Sequence, residues 1–352
     1  MERNNRKTLI VIGLGVLLAV TVIISFQLGR YPITVKEVLG ILLSKICSLD
    51  FRGISFSNIF HFHIEQYWTA RDELILINIR LPRIILACLV GCCLSAAGAA
   101  YQGVFQNPMA APDILGASAG AAFGAALAIY NYGSGFIVMI SAFFFSLLTV
   151  TTVYLISKKV KGNSILGLIL SGIIVSSLFS AGTSYIKLVA DPNDQLPAIT
   201  YWLMGSLAGA KMGDVKFAVI PMAVGLIPLL LLRWRMNVLT MGDDEARTMG
   251  VNAQRIRFVV IICSTLTTAA GVAVSGVIGW VGLVIPHLAR KLVGNNYNHL
   301  LPASILCGAF FMLLVDNVSR NLLTTEIPLG ILTAVIGAPF FIYLITRKGD
   351  AF

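Results

Sequence analysis

Long apolar runs with hardly a charge dominate the chain, separated by short polar clusters. Ten such runs stand at 8–28, 83–106, 114–130, 135–157, 163–188, 214–233, 254–274, 278–293, 300–320 and 328–346. A helix needs about 20 apolar residues to cross the hydrocarbon core of a bilayer, and backbone groups there must bond within the segment. The pattern therefore predicts an all-α polytopic membrane protein of about ten helices. The third and eighth runs are short and rich in Gly, so the range is eight to ten spans. In the third, "LGASAGAAFGAALA" sets Gly116, Gly120 and Gly124 at four-residue intervals. Small residues so spaced let helix backbones approach closely, with the lining of a ligand passage as the alternative use.

Two stretches between the runs also carry structure. "ITVKEVLGILLSKI" has apolar residues at helical spacing and is expected to lie as an amphipathic helix on the membrane surface, inside a long loop from 29 to 82. "LTMGDDEARTMGVNAQ", between runs six and seven, crowds Asp243, Asp244, Glu245 and Arg247 into one short polar segment. The acids suit a helix N-terminus and Gly250 suits the stop, which leaves under two turns of helix. Met241, Ala246, Met249 and Val251 give it an apolar side. Tied at both ends to spanning helices, such a segment is either a handle for a soluble partner or a solvated linker.

Composition supports the membrane reading. Of the 352 residues, 57% are hydrophobic and 12% charged, against roughly 25% charged in soluble domains. The chain is read as one membrane domain over 1–352, with no soluble domain of its own. The first run follows Arg3, Arg6 and Lys7 but lacks a small-x-small cleavage site, so it is expected to be a retained span. With the N-terminus inside, the inner segments hold about 15 of the 26 Lys and Arg, which orients the bundle with both termini in the cytoplasm. The net charge of +10 then reflects topology and attraction to anionic lipid, not nucleic-acid binding.

Few residues could carry covalent chemistry. His61, His63 and Glu65 in "HFHIEQYW" could share one face of a strand and ligate a metal, or sit in an ordinary interfacial loop. The six cysteines show no paired C-x-x-C spacing and read as buried thiols. No Gly-Lys pair exists, so a P-loop is excluded and ATP cannot be bound by that motif. An ion-coupled carrier would place carboxylates within the membrane. Here Asp316, one turn before Arg320, is the exception, and the pair reads as structural.

Seven blocks resemble the FecCD-type permeases, the membrane subunits of type II ABC importers for iron complexes and cobalamin. They are "IRLPR" (79–83), "YQGVFQNPMAAPDILGASAG" (101–120), "YWLMGSL" (201–207), "GDDEARTMGVN" (242–252), "GWVGLVIPHLARKLVG" (279–294), "LLPASILCGAFFMLLVDNVSR" (300–320) and "EIPLGILTAVIGAPFFIYLI" (326–345). The resemblance implies the type II importer permease fold in a bacterial cytoplasmic (inner) membrane, paired with a second permease subunit, most simply as a homodimer. Two cytoplasmic ATPase subunits carrying ATP and magnesium would dock inside and a substrate-binding protein outside; this chain itself would hold no cofactor and catalyse no reaction.

Gly242, Asp243, Asp244, Glu245, Ala246, Arg247 and Gly250 would form the ATPase-coupling helix within 234–253. Arg80, Arg83 and Arg320 match the positions that meet acidic residues of the binding protein, and as exposed guanidinium groups at outer span ends they would suit forked pairing with carboxylates. Gly172, Ser176, Ser180 and Thr183 form a small, weakly polar stripe that could line the translocation path, or pack helices. The expected function is ATP-driven import of a large metal chelate, ferric siderophore or haem before cobalamin, by alternating access. The alternative is an ion-gradient-driven secondary carrier, and an intramembrane enzyme lacks a catalytic cluster.

Overall fold

A computed structural model describes residues 2–47, 50–51, 54–55, 66–131, 133, 135–160 and 164–346. Each of the ten apolar runs is helical. They are α1 (Glu2–Gln27), α3 (Ala70–Val104), α4 (Ala117–Asn131), α5 (Gly135–Ser157), α6 (Ser164–Val189), α8 (Met212–Leu239), α10 (Ala253–Ser275), α11 (Val281–Val293), α12 (Tyr297–Asn321) and α13 (Leu329–Thr346). Between them lie the shorter α2 (Val35–Cys47), α7 (Gln195–Leu203) and α9 (Asp243–Thr248). Apart from a two-residue antiparallel pair, Asp50–Phe51 with Ile54–Ser55, the described chain has no strand. Among the described residues seven helices are long and apolar enough to cross a membrane; α4, α11 and α13 are the shorter ones.

The loop expected over 29–82 is shorter than its sequence suggested. Thr69 and Asp72 cap a helix reciprocally, Thr69 Oγ1 accepting from the Asp72 amide and Asp72 accepting from the Thr69 amide at 2.8 Å. With this capping box in place, α3 starts at Ala70 and runs unbroken into the second apolar run. It widens into a π-helical segment over Ile75–Arg80 just before Pro82 and Arg83. The amphipathic α2 folds back on this extension. Val38 and Ile41 are buried with Trp68, Leu76 and Phe26, while Val35, Leu39 and Leu43 face outward. His61, His63 and Glu65 lie outside the described residues.

The core is built where backbones nearly touch. On α3, a methyl added at Gly91 would meet the Gly308 carbonyl oxygen of α12 at 2.2 Å, and one at Gly98 would meet the Gly282 carbonyl oxygen of α11 at 1.8 Å. Such separations exclude any side chain, and the resulting contact area is dispersion between close-packed backbones. The glycine face of the third run has the same use. Gly120 and Gly124 of α4 stand against the Phe145 and Ser141 carbonyls of α5, and Ser141 donates to the Gly124 carbonyl at 2.6 Å. Most of α3, α10 and α12 is buried, whereas α1, α6 and α8 leave most of their surface open. Cys88, Cys92, Cys93, Cys263 and Cys307 are free thiols within this packing, as the spacing suggested.

Two glycine substitutions separate this close approach from helix propensity. Gly98→Ala should destabilise the protein by about 1–3 kcal/mol through overpacking. Gly271→Ala on α10, whose added methyl would find its nearest neighbour at 3.9 Å, should be neutral or slightly stabilising. Thermal unfolding in detergent would check both, and equal midpoints would refute the packing account.

Candidate functional site

The short charged segment is a helix, α9, held on a rigid base. Its C-terminal turn closes with the Gly250 amide donating to the Arg247 carbonyl at 3.0 Å and the Val251 amide to the Ala246 carbonyl at 2.9 Å. This paired closure needs a left-handed residue, and Gly250 has φ +74°. Gly242 accepts from the Ala246 amide at 3.1 Å, so α9 begins at Asp243 as the acidic run predicted. Ala246 is fully buried against the bundle. Val251 packs partly buried against the same core, whereas Met241 and Met249 are exposed, so the expected apolar side is split into two inward residues and two outward methionines.

Arg257, one turn into α10, is the residue that the sequence reading missed. It is 5% exposed and its guanidinium grips Asp243, with Nη2 at 2.7 Å from Oδ1. The signal was present as the last basic residue of "QRIR", but a partner fourteen positions back across a turn has no fixed spacing. Asp244 and Arg247 stay open to solvent: their side chains are 95% and 78% exposed and stand 3.9 Å apart, a separation at which an exposed pair contributes little. Open grooves flank the helix. One of about 530 Å³ lies against Asp243, Arg247, Asn252 and Arg257, and one of about 710 Å³ against Trp234, Arg235, Met249 and Arg255.

At the opposite end of the bundle the three arginines come together, but they are not exposed. Arg80, Arg83 and Arg320 are 4%, 6% and 7% exposed, which corrects the expectation of open guanidinium groups. Arg83 Nε donates to Asp316 Oδ1 at 2.8 Å and its Nη1 to Glu326 at 2.8 Å. Arg320 donates to the Ser25 carbonyl at 2.9 Å and to Asn317, and lies 3.7 Å from the second Asp316 oxygen. Arg80 donates to the carbonyls of Phe26, Gln27 and Tyr31. The physical reason is that the end of α1 leaves carbonyls without helical partners, and the arginines satisfy them. Glu326, Asn317 and Ser25 complete the cluster and were not anticipated, since they come from three separate segments.

The small polar stripe on α6 also turns inward. Gly172 is buried, and a methyl there would meet the Ile114 carbonyl at 2.2 Å. Ser176 is half-buried against Gly116. Thr183 is buried and donates to the Phe179 carbonyl at 2.9 Å. Ser180 alone of the four is open. The stripe is mainly a packing face, and the open face of α6 carries Ile173, Ile174, Ser177, Leu178 and Ser184. Among the described residues no group of three His, Cys, Asp or Glu side chains could hold a metal ion.

Known proteins match this arrangement over nearly the whole chain. The FecCD transport family matches residues 16–347. A molybdate import system permease protein of Haemophilus influenzae is 40% identical over 343 residues, 97% of each chain. A Helicobacter pylori protein named "Probable iron chelatin transport system permease protein" is 43% identical over 290 residues, 81% of this chain and 88% of the relative. An ABC transporter solved in an inward-facing conformation superposes with a TM-score of 0.82 at 39% identity, covering 96% of this chain and 99% of the other.

Asp316→Asn tests the enclosed charge cluster. Removing the carboxylate leaves Arg83 and Arg320 facing each other, and breaking a buried pair costs about 3–5 kcal/mol. A large fall in unfolding midpoint and yield is expected, partly restored by Arg320→Met in the same chain. A stable variant with abolished transport would instead mark Asp316 as an ion-coupling group.

Proposed function

This chain belongs to the FecCD transport family and is a multi-pass membrane permease of the ABC-importer class, and we propose that its cargo is a large metal chelate, ferric siderophore or haem before cobalamin. The relative named for iron chelatin transport supports that class. The relative named for molybdate import, similar along its full length, favours a second reading in which the cargo is a small oxyanion.

In this proposal two copies pair in a cytoplasmic membrane with both termini inside. Separate ATPase subunits hold ATP and magnesium, and an external binding protein delivers the cargo. The observation that carries it is α9: a short helix whose exposed Asp244 and Arg247 pair only loosely with each other, its base clamped by Ala246 and by Arg257 on Asp243. An ATPase seated in the two flanking grooves would move α9 as a rigid piece. Because α10 packs against α3, α5 and α8, displacement at α9 reaches the core instead of being lost in a flexible loop. The open face of α6, with Ser177, Ser180 and Ser184 among apolar neighbours, is the face we assign to the path beside the second copy. Weakly polar hydroxyls offer a passing ligand hydrogen bonds without a fixed charge to hold it.

Two experiments test this. Proteoliposomes holding the permease, its ATPase and its binding protein should accumulate a labelled ferric siderophore, haem or cobalamin only with ATP. Accumulation of molybdate alone would replace the chelate reading, and uptake driven by an ion gradient without ATP would overturn the importer. Replacing Asp244, Glu245 and Arg247 together by Ala should lower ATP-driven uptake by roughly tenfold or more, the loss of a few charge-assisted contacts, while size-exclusion and melting profiles stay unchanged. Full uptake by that variant would remove α9 from the mechanism.

A further inference from the structure

The end of the bundle that carries α9 holds a second basic feature, separate from the coupling segment. The first turns of α1 and the last turn of α11 converge there, and Arg6, Lys7, Arg290 and Lys291 line a cavity of about 340 Å³ with Ile10 and Gly294. Among the described residues no carboxylate lines it. The Lys7 ammonium stands directly over Gly294, 3.3 Å from where a methyl would sit. Arg290 Nη1 is enclosed and has no hydrogen-bond partner, and Lys291 lies over the Tyr343 ring, 5.8 Å from its centroid. Four like charges in one cavity repel one another unless an anion covers them.

The surroundings say which anion. From the cavity, α1 runs away into the apolar belt with Leu9, Ile12 and Val16 66%, 57% and 59% exposed, and Leu292 is exposed at the cavity's edge. A basic pocket at the head of an open apolar track matches a charged headgroup above an acyl chain. A soluble anion would have no use for the track.

We propose that this cavity binds the phosphate of an anionic phospholipid, with an acyl chain lying along α1. Naming the leaflet as cytoplasmic rests on the orientation proposed above; the binding itself does not, so it is tested without transport. The lipid would fasten α1, which is otherwise mostly open, to the end of α11, and thereby brace the bundle beside the coupling helix.

The test uses the full permease with its ATPase in nanodiscs of phosphatidylcholine with a minority of phosphatidylglycerol, and counts retained lipids by native mass spectrometry. Phosphatidylglycerol should be enriched roughly tenfold or more over its bulk share. K7Q/K291Q should lose the enrichment and the charge-keeping K7R/K291R should keep it. K158Q/K159Q, which removes exposed basic residues at the end of α5, should also keep it. Equal enrichment in K7Q/K291Q and wild type overturns the proposal, and so does an equal loss in K158Q/K159Q, which would mean diffuse surface charge. Displacement of the lipid by millimolar inorganic phosphate would make the cavity a soluble-anion site and overturn it too.

Discussion

Backbone-to-backbone contact around α3 is the constraint on which the rest of the molecule depends. In a bilayer the lipid tails are as apolar as leucine, so helices gain little by hiding side chains and are held by close packing and internal polar bonds. Gly91 against Gly308 and Gly98 against Gly282 bring α3 within backbone distance of α12 and α11. Hydrogen bonds then lock the same helices: Tyr297 donates to the Ala99 carbonyl at 2.9 Å, and Tyr101 meets Thr265 of α10 at 3.0 Å. The result is a slab of α3, α10, α11 and α12 that spans from the arginine cluster to the α9 end.

That slab explains why both ends can be specialised. At one end Arg80 and Arg320 fasten α3 and α12 to the last carbonyls of α1, while Arg83 ties α3 to Asp316 of α12. At the other, α9 is clamped to α10, the slab's own member, through Arg257. In the proposed mechanism a push on α9 would be applied to a rigid body, and packed interiors shift between discrete arrangements instead of deforming continuously. The helices α6 and α8, by contrast, leave most of their surface open.

The fold was legible wherever a one-dimensional signal suffices. Ten apolar runs gave ten helices, the glycine face of α4 gave a packing face, and the acids with Gly250 gave both ends of α9. Signals that depend on pairing across the chain were not legible. Arg83 is 233 positions from Asp316 and 243 from Glu326, so its burial could not be read from the span-end rule that suggested exposure. The start of α3 was hidden because Ala70–Leu74 is charged and polar, and only the Thr69 and Asp72 cap makes it helical. On α6, small hydroxyls have the same spacing whether they face a passage or a neighbour; the Ile114 carbonyl stands against Gly172, while Ser180 stays open.

The disposition of the enclosed charges also bears on the energy source. A proton- or ion-driven carrier needs a carboxylate that can change its occupancy as the protein turns over. Among the described residues the carboxylate enclosed well inside a spanning helix is Asp316, and it already has Arg83 at 2.8 Å and Arg320 at 3.7 Å. Its place between two guanidinium groups suits a fixed structural charge, since each proton taken up would remove a partner from both. A fixed ion cluster at one end and a solvent-presented handle at the other suit a machine whose work is delivered mechanically from outside the membrane.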